Sequence, residues 1–426
     1  MSAVRKVVVI SDLHLGDNAY LEDFSADSEF LAFLDSYAKE PETHLVLNGD
    51  TIDFLQTQPL GAYTLHSAPA KIRAVAGAHP LVMQALADFT QAGNQISVLE
   101  GNHDIEFLFE PPRKAFLDCL TAAGADASRI RFQYSTLVEA PHYHIEHGHQ
   151  ADRLNRFDYD NLLLDRHIES LNYPWGSYFV HRVFNHVEPE HRFIDKIRPE
   201  SAAALLLRLV DPDRFHRFIL PFLGLKLEDV IENRLDRLRV AAMQMRPITD
   251  VLMKGVSGED DALAAFSSDW APVLDDLVLL ENEKPRASSG EFVTKGRVSD
   301  FMLEKLILHL QNSSHQAIQR SGEYVAAATN RAHFSKAKVV VFGHTHHALR
   351  HKLPDGGHYL NSGTWTPLLR IPDREPGQEW VEQLKARKNY PTISRPSFVE
   401  IAIDGQHTMA RLMSWNSAGG YAVPEE

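Results

Sequence analysis

The stretch Val339–Arg350 reads VVVFGHTHHALR, and it indicates how this protein places polar side chains at the end of a buried strand. A largely apolar run such as residues 338–342 is typical of a short strand that is covered on both faces. The run stops at Gly343, and His344 and His346 follow it. Because a loop can present both imidazoles of a His-x-His pair on one side, we predict a ligand-binding turn directly after this strand.

Four other predicted strands are followed in the same way by aspartate, asparagine or histidine. They cover residues 6–11, 44–48, 95–100 and 142–146. In open α/β sheets the carboxyl ends of the strands are where ligands bind, so we expect the five ends to converge on one site. The polar side chains that the strands would deliver there are Asp12, His14, Asp50, Asp53, Asn102, His103, His147, His344 and His346.

The types of these side chains predict a site for two metal ions. They offer carboxylate, amide and imidazole groups, and the single cysteine of the chain, Cys119, rules out a thiolate cluster. Such ligands suit manganese, iron, zinc or cobalt, and two ions about 3.5–4 Å apart can clamp a phosphoryl group for in-line displacement. The ions also lower the pKa of a water that bridges them, which supplies hydroxide for the attack. The candidate ligand set, too large for one zinc ion, is Asp12, His14, Asp50, Asn102, His147, His344 and His346.

Outside these motifs the chain divides into an alternating α/β part and a helical part. Apolar residues at helical spacing predict helices over residues 27–40 and 79–93, with Asp27 as the N-cap of the first. The patterns of residues 152–337 are mostly helical, whereas strands resume at Lys338. The predicted units are an α/β core formed by residues 1–151 and 338–426, and a helical insertion, a cap or lid, over residues 152–337.

The composition disfavours some partners and compartments. The 426 residues include 57 acidic and 43 basic side chains, which gives a formal net charge of −14. An acidic chain is a poor binder of nucleic-acid phosphates, so we do not expect DNA or RNA as a partner. The apolar run near the N-terminus is too short for a secretory signal, and no run reaches the roughly 18 apolar residues of a membrane span. We predict a cytoplasmic location, while peripheral membrane contact and the oligomeric state stay open.

The five motifs, in this order, resemble those of the calcineurin-like metallophosphoesterase superfamily. They are D-x-H at Asp12, G-D-x-x-D at Gly49, G-N-H-D at Gly101, a histidine at a strand end, His147, and G-H-x-H at Gly343. The resemblance implies a two-sheet α/β/β/α sandwich and a hydrolase of phosphate esters or pyrophosphate bonds. It also implies two divalent metal ions, with manganese as the first choice.

The resemblance further implies a role for each motif residue. His103 would contact the phosphate and protonate the leaving oxygen, and Asp53 would orient His103. Asp50 would bridge the two ions. The remaining ligands would be Asp12, His14 and His346 on the first ion, and Asn102, His147 and His344 on the second.

The runs SDLHLG and GDTIDF look most like the branch of UDP-2,3-diacylglucosamine pyrophosphatases. This branch typically has arginine where the chain has His103, and aspartate where the chain has His149. The resemblance implies a phosphorylated small molecule or a lipid-linked substrate, such as a nucleotide-sugar lipid precursor. A nuclease of the same superfamily and a non-catalytic scaffold are the alternatives. The acidic charge disfavours the nuclease, and the complete ligand set disfavours the scaffold.

Several residues near the motifs allow two interpretations. His149 is the alternative to His147 as a metal ligand, although His147 follows the strand directly. Arg153 and Arg156 are candidate substrate-binding residues for a phosphate, or they pair with neighbouring aspartates. The aromatic residues over 173–184 form either part of a core or a substrate-facing lid.

Overall fold

The computed structural model describes residues 5–219, 322–369 and 392–424, with gaps at 18–19, 41, 62–63, 166, 168, 193, 198–199, 417 and 419. The part of the predicted helical insertion that spans residues 220–321 lies outside the described residues. In the described parts of the chain, no helix combines the length and the apolar character that crossing a bilayer requires.

The described strands and helices mostly follow the predicted order. In chain order, the strands are β1 (Arg5–Ile10), β2 (Thr43–Asn48), β3 (Gln95–Leu99), β4 (Ile130–Phe132), β5 (Thr136–Glu139), β6 (Tyr143–Glu146), β7 (Leu163–Asp165), β8 (Ser170–Leu171), β9 (Val339–Phe342), β10 (Leu349–Lys352), β11 (His358–Asn361), β12 (Leu368–Leu369), β13 (Thr392–Ile393), β14 (Ser397–Asp404), β15 (His407–Asn416) and β16 (Tyr421–Pro424). The helices are α1 (Asp27–Ala38), α2 (Ala68–Ala78), α3 (Pro80–Gln91), α4 (Glu110–Ala122), α5 (Trp175–Phe179), α6 (Asn185–Val187), α7 (Glu200–Val210) and α8 (Pro212–Arg214), and residues 322–335 are also helical. A π-helical turn, Val180–Phe184, joins α5 to α6.

Two mixed sheets carry the candidate site. The first sheet has the strand order β16-β15-β14-β1-β2-β3-β4, in which β1 to β4 run parallel to one another. The second sheet has the order β10-β11-β9-β6-β5, in which β6, β9 and β11 are parallel. Because parallel strands of one sheet end on the same edge, the loops after β1, β2 and β3 leave one edge together. The loops after β6 and β9 do the same in the second sheet.

Apolar side chains between the two sheets form the inner core. Val7 and Val46 of the first sheet belong to one buried cluster with Ile145 and Val341 of the second. Helices α1 to α4 cover the other face of the first sheet, and the helix over residues 322–335 covers the outer face of the second. The predicted α/β/β/α sandwich is therefore confirmed.

Two local features differ from the sequence prediction. Within the predicted helical insertion, β7 and β8 pair as antiparallel strands, which are too short to show an alternating pattern. Asp27 is the first residue of α1 rather than its N-cap, and its carboxylate accepts a hydrogen bond from Nδ1 of His79 at 2.9 Å. Nε2 of His79 lies 3.1 Å from the Glu22 carboxylate, so this buried imidazole is held between two acidic groups.

Candidate metal centre

The five strand ends converge on one buried group of polar side chains. The seven candidate ligands, His103 and Asp53 are each less than 9% exposed to solvent. Six of the ligands fall into two sets of three, and the ligand atoms within each set lie within 4.8 Å of one another. The first set is Asp12, His14 and His346, and the second set is Asp50, His147 and His344.

The ligand atoms of the first set lie close to one another. Nδ1 of His14 donates to Oδ2 of Asp53 at 2.9 Å, so a neutral His14 ring presents the lone pair of its Nε2. This Nε2 lies 3.2 Å from Nε2 of His346, which is also 3.2 Å from Oδ1 of Asp12. Oδ1 of Asp12 is buried and accepts no hydrogen bond from the described residues. A divalent cation between these three atoms could be bound by a lone pair from each of them.

The second set shows the same arrangement around His147. Nδ1 of His147 lies 2.8 Å from the carbonyl oxygen of Asn48, which can only accept, so a neutral ring carries its lone pair on Nε2. That Nε2 is 3.2 Å from Oδ2 of Asp50 and 3.2 Å from Oδ1 of Asn102. Oδ2 of Asp50 is also 3.7 Å from Nε2 of His14, which belongs to the first set. Asp50 therefore lies between the two sets, where a bridging ligand would be needed.

These residues fit two divalent cations. Burial disfavours a charged His147, yet the Asp50 and Asp12 carboxylates raise the pKa of its imidazole to about 10. The centre therefore favours positive charge. A divalent ion supplies two positive charges, whereas a proton supplies one. Carboxylate oxygen, amide oxygen and imidazole nitrogen are the donors that manganese, iron, zinc and cobalt accept.

Five of the seven candidate ligands have a left-handed backbone conformation. Such a conformation is uncommon outside glycine and costs on the order of 1–3 kcal/mol at each residue, so the surrounding structure must hold it. Strained backbone conformations are common at functional sites. Here the left-handed conformation directs the side chains of neighbouring loops toward a common point. The φ angles are 56° at Asp12, 48° at His14, 51° at Asp50, 68° at His344 and 60° at His346.

The loop that carries His344 and His346 is packed tightly against the loop after β1. A Cβ atom at Gly343 would collide with the side chains of Ser11 and Asp12, so only glycine allows this approach. Asn361, at the end of β11, donates from Nδ2 to the Gly343 carbonyl oxygen at 2.6 Å. The second sheet thus fixes the position of the His-x-His turn through the side-chain amide of Asn361.

Asp53 contacts two imidazoles, whereas the sequence suggests one. Oδ2 of Asp53 lies 2.9 Å from Nδ1 of His103 and 2.9 Å from Nδ1 of His14. Oδ1 accepts the backbone N–H groups of Leu55 at 3.1 Å and Gln56 at 3.0 Å. Burial alone would raise the pKa of Asp53, but His103 and His14 hold it well below its ordinary value. The charged carboxylate favours the Nδ1–H form of both rings, and His103 lines the cavity beside the centre.

Asp152 belongs to the site, whereas the sequence suggests it only as one of the aspartates that could pair with Arg153 or Arg156. Its Oδ2 lies 2.9 Å from Nε2 of His344, and its Oδ1 accepts the backbone N–H of Leu154 at 2.9 Å. Because Nε2 of His344 donates to this carboxylate, Nδ1 is the nitrogen that is left to bind an ion. The two residues are 192 positions apart, so no local pattern could have shown the pairing.

The two arginines do not line the cavity beside the centre, and His149 is not a member of either ligand set, although its ring lies 5.5 Å from that of His147. Arg153 is exposed and pairs with Glu323 at 3.4 Å, and neither Arg153 nor Arg156 lines the cavity beside the centre. His149 is buried, but its Nε2 lies 3.3 Å from the Tyr159 hydroxyl and it is outside both ligand sets. The geometry therefore favours the strand-end histidine, rather than His149, as the ligand.

The aromatic stretch over residues 173–184 divides into core and cavity residues. Tyr173 packs in a buried cluster with Leu55 and Phe157. Trp175 and Phe179, by contrast, line the cavity that His103 also faces. The two interpretations of this stretch thus apply to different residues within it.

Comparison with known proteins agrees with this geometry. The family model described as calcineurin-like phosphoesterase matches residues 5–210 of the chain. The matched segment contains the first four motifs and ends before the motif of His344 and His346. A search of curated proteins returned no match. The family match supports the superfamily that the motifs resemble, and it does not confirm the UDP-2,3-diacylglucosamine pyrophosphatase branch.

Proposed function

Because the chain carries a calcineurin-like phosphoesterase domain, and is therefore a metal-dependent phosphoesterase, we propose that it hydrolyses phosphorylated small molecules at the dinuclear centre described above. The observation that carries this proposal is the convergence of ligand atoms in two adjacent sets with Asp50 between them. In this proposal the first ion is held by Asp12, His14 and His346, the second by Asn102, His147 and His344, and both by Asp50.

Each part of the centre has a separate chemical task in this proposal. Two bound divalent ions would polarise the phosphoryl group and make hydroxide available near neutral pH. His103 lines the cavity with its Nδ1 held by Asp53, and its backbone N–H donates to Oδ1 of Asp50 at 2.8 Å. Asp53 therefore fixes the orientation of the ring, and in this proposal Nε2 of His103 gives a proton to the leaving oxygen. Manganese is the first candidate metal, with iron, zinc and cobalt as alternatives.

The His103→Ala variant tests this assignment through the choice of leaving group. We expect the variant to keep its metal and to lose about 10²–10⁴-fold in rate on phenyl phosphate, since a positioned acid contributes that much. The loss should be smaller on p-nitrophenyl phosphate, whose leaving group needs no proton. His142→Ala is the matched control, because His142 is also a buried histidine and it bonds Thr408 instead of the centre.

Two results would contradict the proposal at different levels. An equal loss on both esters would mean that His103 positions the phosphate without donating a proton. A purified wild-type protein that binds no divalent metal and hydrolyses neither ester under any metal would contradict the phosphoesterase function of the site.

Several finer expectations stay predictions. They are the lipid-linked substrate, the peripheral membrane contact, the cytoplasmic location and the role of residues 152–337 as a cap. A nuclease gains no support from the cavity, because no lysine or arginine is among its described lining residues.

A further inference from the structure

The cavity beside the metal centre has two chemically different sides. Four histidines, Asp50 and Asn102 supply the polar side. Most of the remaining lining is apolar and comes from a short part of the chain, residues 154–184. The apolar side chains there, which we call the apolar wall, are Leu154, Trp175, Phe179, Val180 and Phe184.

Helical spacing builds the apolar wall. Trp175 and Phe179 lie four residues apart in α5, which places them on one helix face, and their rings stack at 5.4 Å with an angle of 10° between the planes. Phe184, the last residue of the π-helical turn that follows α5, packs edge-on against Phe179 at 4.8 Å. All three rings are less than 9% exposed, so the wall is already packed in the structure described here.

Backbone hydrogen bonds tie the apolar wall to the metal centre. The N–H of Gly176 donates to the Leu154 carbonyl oxygen at 2.8 Å. A Cβ at Gly176 would collide with the Asn155 side chain, so α5 lies directly against this loop. The N–H of Leu154 in turn donates to Asp152, which holds His344. The wall therefore has a fixed position relative to the ligands.

The described lining of the cavity offers few of the groups that a second anionic group would need. Among its described lining residues there is no lysine or arginine, and the charged side chain outside the metal centre is that of Asp195. A phosphate or carboxylate that is taken out of water must meet a cation or several hydrogen-bond donors. Two ions and His103 can serve one phosphoryl group, and the apolar wall offers nothing comparable to another anion.

We infer that the substrate is an ester with a single phosphorus, whose compact apolar organic group packs against Trp175 and Phe179. This inference rests on the proposed phosphoesterase function and specifies which class of phosphate ester the site accepts. It favours phosphate esters of apolar alcohols or phenols over pyrophosphate bonds and over substrates that carry further acidic groups near the phosphorus.

Three phosphonates that cannot be hydrolysed test the inference as competitive inhibitors of p-nitrophenyl phosphate turnover. Phenylphosphonate should bind the manganese-loaded enzyme at least about 10-fold more tightly than methylphosphonate, because only the phenyl group reaches the apolar wall. Phenylphosphonate with a para-carboxylate should bind more weakly than phenylphosphonate itself. Equal or tighter binding of the carboxylated compound would overturn the inference.

Two variants connect this preference to the wall. Phe179→Ala should reduce the preference for phenyl over methyl several-fold and leave the inhibition constant of methylphosphonate unchanged. Phe334→Ala is the control, since Phe334 is 80% exposed and does not line the cavity. Val180→Lys, at a half-buried wall position, should improve binding of the carboxylated compound even if Phe179→Ala fails to fold.

The outcomes distinguish a failure of this inference from a failure of the proposed phosphoesterase function. If Phe179→Ala and Val180→Lys both fold and leave all three inhibition constants as in the wild type, the wall does not select the substrate. Turnover of p-nitrophenyl phosphate would still support the phosphoesterase function in that case. Absence of metal binding and of turnover in the wild type would instead remove the proposed function itself.

Discussion

The Asp53→Asn substitution tests whether one carboxylate controls both a metal ligand and the proposed acid. Oδ2 of Asp53 faces Nδ1 of His14 and of His103, each at 2.9 Å, and Oδ1 accepts the N–H groups of Leu55 and Gln56. All four partners can act as donors to this carboxylate. Asparagine offers one oxygen and one NH₂ group in the same place, so one pair of donors must face another donor.

The cost of this mismatch follows from the number of hydrogen bonds lost. A hydrogen bond to a charged group contributes about 1.5–3 kcal/mol, so losing the two imidazole bonds costs about 3–6 kcal/mol. Because His103 would no longer be held in position as the acid, kcat should fall by about 10²–10⁴-fold, which is what a positioned acid contributes. Metal affinity should fall as well, because His14 would no longer be held in the tautomer that leaves its Nε2 lone pair for an ion.

Metal content and kcat, measured on the same preparations, provide the assay. Metal per chain is determined after dialysis, and kcat is measured on phenyl phosphate at saturating manganese. We expect Asp53→Asn to lose metal that His103→Ala retains, because only the first change disturbs His14. If Asp53→Asn keeps two ions and loses no more rate than His103→Ala, Asp53 acts on His103 alone. A wild-type rate would refute the role of this carboxylate altogether.

Three further predictions concern single side chains. Asp50→Asn should lower the metal content well below two ions per chain and reduce activity more than any other single ligand change, because Asp50 would contact both ions. Two tightly held ions with full activity would show that Asp50 does not bridge them. Asp152→Asn should weaken one of the two ions by about 10–100-fold in a metal titration and leave the other unchanged, since it orients a single imidazole; equal loss of both ions would contradict this. His79 lies buried between Glu22 and Asp27, and although burial lowers its pKa, the two carboxylates raise it to about 9 in the folded protein. The raised pKa stabilises the fold below about pH 6.5, and this contribution is lost as the pH rises through about 9. The free energy of unfolding is therefore to be compared between wild type and His79→Gln, both in chelator. The difference between the two proteins should shrink by up to about 3 kcal/mol from about pH 6.5 to about 9. A difference that does not change with pH would show that His79 is neutral in the fold.

Local patterns were sufficient to predict the strands that end at the site. The strands at residues 5–10, 43–48 and 339–342 each contain a continuous apolar run because they are buried between layers, and such runs stand out against their polar neighbours. Strands β4 and β5 were missed, since runs of three or four residues with mixed polarity carry no clear period. Length and burial thus decided which strands the sequence could reveal.

The identity of the proposed ligands could also be predicted, because the chemistry depends on residue type and position after a strand. The partners that hold those ligands could not. Asp152 meets His344, and Asp53 meets His14 as well as His103, only because separate loops come together in space. Hydrogen bonds between distant segments leave no periodic trace in the sequence.

By itself, the sequence determined the α/β class, the order of the five motifs and the donor atoms available to a metal. These depend on apolar periodicity and on side-chain chemistry, which are local properties of the chain. Only the tertiary structure decided that Asp50 lies between the two ligand sets, that Arg153 turns away to Glu323, and that Trp175 faces the cavity while Tyr173 packs in the core. The physical reason is that such placements follow from the packing of two sheets and a helical segment against one another. The energy of each contact depends on a distance in space, which the linear order of residues does not specify.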